Sequence, residues 1–96
     1  MNVVLGDAAK IELEGAIEWY ELQQEGLGKR FALAFHSAVL VLRSFPSLNS
    51  ELAKNIRRAI VKEFPYGIIY SVKSDFIEII AVAHLHRRPM YWTGRK

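Results

Sequence analysis

The chain has 96 residues, 51% of them hydrophobic, three histidines, no cysteine and a formal net charge of +3. That length provides one core and, on this reading, a single domain over residues 1–96, close to the size at which a partner adds needed stability. The lack of cysteine excludes disulfides and thiolate metal sites and suits a reducing cytoplasm, and no apolar run is long enough for a signal peptide or a membrane span. Charge is unevenly divided. Residues 1–28 set Asp7, Glu12, Glu14, Glu18, Glu21 and Glu25 against Lys10 for a net −5, whereas residues 29–96 set twelve Lys or Arg against four acids for a net +8. A dipolar chain of this kind points its basic part at a polyanion or an acidic protein segment.

Val3, Val4 and Leu5 form a β-branched run closed by Gly6, which predicts a short strand in need of neighbours. Asp7 follows as the expected N-cap of a helix with Ala9, Leu13, Ala16, Ile17 and Tyr20 on one face, ending at Gly26. Ile11, Gly15, Trp19 and Leu22 make a second stripe on that helix, to be covered by the second helix and the sheet or, failing that, by a partner. After the Gly26-Leu27-Gly28 link a second helix runs to about Phe45, with Phe31, Ala34, Phe35, Ala38, Leu42 and Phe45 inward and Pro46 ending it. Leu33 and Leu40 lie on its far side, as ordinary surface or as an anchor for a partner. Residues 46–54 read as a loop. Three segments rich in Ile, Val, Phe and Tyr then follow at 56–64, 66–72 and 76–83, separated by Pro65 and by Lys73-Ser74-Asp75. They predict a three-stranded antiparallel meander whose last strand, with IEIIAVA at 77–83, is central and covered on at least one face by the helices. A basic, aromatic tail closes the chain. The fold class is therefore α+β, an N-terminal strand, a helical hairpin and the meander (β-α-α-β-β-β), with two helices packed on one sheet.

The stretches AIEWYELQQEGLGKRF at 16–31, IRRAIVKEFPYGIIYSV at 56–72 and IIAVAHLHRRPMYW at 79–92 resemble the RelE/ParE superfamily of bacterial type II toxin-antitoxin modules, in the plasmid stabilisation protein branch. The resemblance spans nearly the whole chain. It implies a cytoplasmic toxin held silent in a hetero-oligomer by a cognate antitoxin that folds over its surface, with Trp19, Leu22, Leu33 and Leu40 as antitoxin-binding candidates. ParE-like members act on DNA gyrase by binding. RelE-like members are metal-independent endoribonucleases that cleave mRNA, often on the ribosome.

A metal-free ribonuclease needs cations around a developing phosphorane and a proton donor and acceptor. The candidates for that role are Arg57, Arg58, Lys62, His86, Arg87 and Tyr91, and for target binding Arg58, Lys62, His84, Arg87, Arg88, Tyr91 and Trp92. Arg58 and Lys62 share a strand face with Ile56 and Ile60, and Arg57 points to the other. The rival readings are a solvated sheet edge for the arginines, a structural hydrogen bond for His84 and core caps for Tyr91 and Trp92. With no cysteine and no evident third ligand beside the histidines, neither a metal nor a cofactor is expected. Where RelE-like nucleases carry an arginine after the aromatic residue entering the third strand, Gly67 follows Tyr66, and Leu85 stands near a second expected cation. Both departures favour a toxin that acts by binding over a nuclease. A small basic nucleic-acid-binding module is the third reading.

Overall fold

A computed structural model describes residues 1–95, and in it the β-branched run after Met1 is the edge strand β1 (Asn2–Leu5). α1 (Asp7–Gln23) follows at once, capped by the extended Gly6 without a side-chain hydrogen bond. Asp7, expected as the cap, is the first helical residue, where its charge still suits the positive end of the helix. α2 (Leu27–Ser44) returns after a turn in which Gly26 adopts φ 86°, the left-handed conformation anticipated from its glycine. No side chain from α2's own cap residue serves its first N–H groups. Glu21 of α1 does so, accepting from the Gly26 and Gly28 N–H groups at 2.9 and 3.0 Å. Gly28 is required there, because a Cβ would stand 2.6 Å from the Ile17 carbonyl oxygen.

The remainder forms β2 (Glu51–Ala53), β3 (Ile56–Val61), β4 (Tyr66–Val72) and β5 (Phe76–His84). The sheet has five strands in the order β1-β5-β4-β3-β2, not the meander of three alone. β1 lies parallel to β5, pairing Val3 with Ile77 and Leu5 with Ile79, and the other pairs are antiparallel. The stretch read as a loop at 46–54 contains β2, which at three residues is too short to show a period. It folds back through Asn55 at φ 62°, a conformation Asn tolerates. β3 stops at Val61, short of Phe64, because the chain turns through Glu63 at φ 74°.

One face of the sheet packs on the helices. Ala9, Ala16, Tyr20, Phe31 and Leu42 meet Ala59, Val61, Ile68, Tyr70, Ile77, Ile79 and Val82 there. Tyr20, Phe31, Phe64 and Tyr66 gather at one end, with several ring centroids 5.0 to 5.1 Å apart. The opposite face carries a smaller core of Ile56, Ile69, Ile80, Ala81 and Ala83, roofed by Trp92 and Tyr91. β5 is thus covered on both sides, by the helices and by the tail.

Two expectations about the helices change. Phe45 is 63% exposed because α2 ends at Ser44 and the Phe45 backbone has already left the helix. The second stripe of α1 has no neighbour, with Ile11, Trp19 and Leu22 exposed, so the hairpin and sheet do not cover it. Leu42, fully enclosed, tests the core assignment: Leu42→Ala should lower stability by about 2 to 5 kcal/mol on urea denaturation.

Candidate functional site

β1 pairs with β5 only as far as Ile79. Just beyond, β5 bulges: Tyr70 pairs with Ile79 and Ile69 with Ala81, leaving Ile80 as the extra residue. The edge groups past the bulge are buried polar backbone without a strand to pair with. Side chains take them. The Val82 N–H donates to Glu12 Oε1 at 3.0 Å, and the Ile80 carbonyl accepts from Arg95 Nη1 at 3.3 Å.

Glu12 is the centre of this arrangement. Arg95 donates to both of its oxygens, Nη1 to Oε1 at 2.8 Å and Nη2 to Oε2 at 3.2 Å, the Tyr91 hydroxyl donates to Oε2 at 2.6 Å, and Arg87 Nη1 lies 3.3 Å from Oε2. The Arg87 guanidinium also sits 3.8 Å over the Tyr91 ring. Burial opposes the charge on Glu12, but the hydrogen bonds from Arg95, Tyr91 and Val82 and the positive charge of Arg95 outweigh it, holding the carboxyl below its ordinary value. Burial and the bond to Glu12 push Tyr91 up to about 12, so it is a fixed donor and not a base at neutral pH. Sequence reasoning placed Glu12 only within the acidic front of the chain. The signal available was its position three residues after Ala9 and next to Leu13, at the border of the buried stripe.

The tail secured in this way closes a pocket of about 140 Å³ against the second face of the sheet. Arg58, His84, Arg87 and Arg88 line it together with Tyr91 and Trp92. The Arg58 stem crosses Gly67 on the neighbouring strand, where a Cβ would come within 2.9 Å of Arg58 Cδ. Gly67, which lacks the cation of the nuclease pattern, is therefore the gap through which Arg58 reaches the pocket. The His86 N–H donates to His84 Nδ1 at 3.1 Å, leaving the proton of a neutral His84 ring on Nε2, and the two rings lie 5.3 Å apart. Trp92 is 3% exposed and caps the second core while also lining the pocket.

Two candidates lie elsewhere. Arg57 turns to the other face, hydrogen-bonded to the Asn49 carbonyl and 3.9 Å from Glu51. Lys62 stands beyond the end of β3 and lines a separate groove of about 500 Å³ between α2 and β3. That groove is walled by Leu33, Val41, Leu48 and Ile60, all exposed. β2 pairs only with Ile56 and Arg57, so β3 has no strand partner on this side beyond them. Leu40 is exposed further along α2, and Trp19 and Leu22 on α1. Val41 and Leu48 were not singled out from the sequence, and Ile60 was placed there only on the strand face of Arg58 and Lys62, since only the fold brings the three beside Leu33. Among the described residues no group of three or more His, Cys, Asp or Glu is placed to hold a metal ion.

Two helices on one face of a five-stranded sheet, with converging cations on the other and uncovered apolar surface outside, define a small α+β protein of the kind that the sequence resemblance leads one to expect. The family model for the ParE toxin of the type II toxin-antitoxin system, parDE, matches residues 3–89, and the chain belongs to this family. Membership implies an antitoxin as partner. A solved structure described as the chromosomal ParDE TA system from P. aeruginosa shares the fold, with a TM-score of 0.63 at 14% identity over 90% of this chain and 97% of that one. No curated protein matches by sequence. Among the described residues no helix is long and apolar enough to cross a membrane.

The depressed pKa of Glu12 has a consequence for stability. Its contribution is complete above the ordinary carboxylate value of 4.5 and is lost as pH falls through the lower value of the folded state. Glu12→Gln should therefore be less stable than the parent in urea at pH 7, and the difference should shrink on acidification below about 4.

Proposed function

We propose that this toxin arrests growth by binding an essential target through the basic pocket, the target being DNA gyrase as the resemblance to ParE-like toxins implies, and that its antitoxin covers the α2 groove and the apolar helix faces. The observation that carries the reading is the convergence of Arg58, Arg87 and Arg88 on one pocket. Cations separated by 29 and 30 positions in sequence meet there, which gives the local positive field that attracts an acidic or polyanionic partner. The groove supplies the complementary apolar surface for a segment that folds as it binds.

The same geometry weighs against ribonuclease chemistry. Arg57 and Lys62 do not reach the pocket, and Tyr91 is engaged by Glu12. A nuclease reading has one observation in its favour, the paired His84 and His86 rings at the pocket's edge, which would offer a proton donor and acceptor.

Induced expression separates the two. Growth arrest with intact messages and with DNA breaks supports the gyrase reading, and prompt message cleavage with intact DNA overturns it. Arg58→Ala with Arg88→Ala should raise the dose needed for arrest about tenfold or more at equal expression, the scale of losing charge-assisted hydrogen bonds. In the groove, Leu33→Asp should leave growth arrest intact while abolishing rescue by the co-expressed antitoxin, because it places a charge in an apolar contact. Full rescue of that variant would remove the groove from the antitoxin interface.

A further inference from the structure

We propose that Glu12 is a positioning residue: it is the fastener that holds residues 88–95 as a strap across the sheet and thereby assembles the basic pocket. This rests, for its functional part, on the reading of that pocket as the target-contact surface.

The strap has little backbone attachment of its own. The Leu85 N–H donates to the Pro65 carbonyl at 2.8 Å and the Arg87 N–H to that of His84 at 3.0 Å. Beyond Arg87 the backbone bonds are internal, Thr93 to Met90 and Arg95 to Trp92, so among the described residues no backbone pair joins 88–95 to a strand. Met90 is held at φ 63°, a conformation that a non-glycine residue adopts only where its surroundings enforce it. What joins the strap to the domain is the Trp92 ring, the Arg95 contact to Ile80, and Glu12.

The pocket exists only with the strap in place. Arg88, Tyr91 and Trp92 come from the strap, while Arg58, Ile69 and Ala83 come from the sheet. Arg87 is anchored by the same carboxylate at the strap's root. Glu12 reaches the strap from α1, on the far side of the sheet edge, and its two oxygens accept from Arg95, Tyr91, Arg87 and the Val82 N–H together. A glutamine has one acceptor oxygen, and its amide N–H groups face the donors of Arg95 and Tyr91. An aspartate is a methylene short. The contact meets the helix-side core only at the Val82 N–H, and no side chain of that core takes part in it, so the strap is expected to open without unfolding the domain.

Hydrogen exchange on Glu12→Gln and, as a second entry into the same contact with the opposite charge change, on Arg95→Gln provides the test. Amides in 88–95 should exchange at least about tenfold faster than in the parent, a much larger change than in α2 or in the sheet away from Val82, whose N–H bonds Glu12, and Trp92 emission should shift to the red. Affinity for heparin, used as a polyanion probe, should fall in both variants, although Glu12→Gln raises the net charge. A rise in Glu12→Gln would mean that the carboxylate merely screens Arg87 and Arg95, and would overturn the positioning role. Unchanged protection of 88–95 in both variants would overturn the fastener itself. Accelerated exchange with growth arrest equal to the parent in both would overturn the pocket as contact surface, and with it the functional part of this inference.

Discussion

The structure depends on covering β5 on two faces at once. Six of its nine residues are buried in one core or the other, and no single helical layer can reach both sides of a strand. The bulge at Ile80 sets two consecutive residues, Ile80 and Ala81, toward the second face and returns Val82 to the helices. It also leaves edge groups that β1 is too short to satisfy. A carboxylate from α1 and a guanidinium from the end of the chain fill that gap, so packing and polar satisfaction are solved by one cluster.

Electrostatically, this makes the division of charge along the chain more than a solvated dipole. One acid from the net-negative front ties down two cations from the net-positive back, Arg87 and Arg95, while Arg58 and Arg88 are left without a carboxylate partner among the described ion pairs. The pocket's field therefore comes from unequal pairing. Glu12 is largely shielded from solvent whereas Arg87 is half exposed, and contacts of this kind are worth most where water is excluded.

Much of the fold was legible because it is local. The buried stripe from Ala9 to Tyr20, the Gly26 turn, and the strands at 66–72 and 76–84 follow from period and turn chemistry. β2 was not, since three residues in a polar stretch carry no period and depend on pairing with Ile56 and Arg57. Of the site, the arginines could be named from the sequence, but not which would meet. Neighbours in sequence, Arg57 and Arg58, go to opposite faces by strand alternation, and Arg58 joins Arg88 through tertiary packing alone. Glu12 was the hardest to see, because its partners are 70 or more residues away and nothing local distinguishes it from five other acids.

The missing side chain at position 67 carries a lesson for how such a surface can change over time. The space above it admits either a residue grown from β4 or the arm that leans across from β3, but not both in their present places. The two positions are therefore coupled, and an arginine introduced at 67 would evict the one already there. A lineage moving between those two arrangements must alter the pair together or pass through a form whose pocket is short of charge.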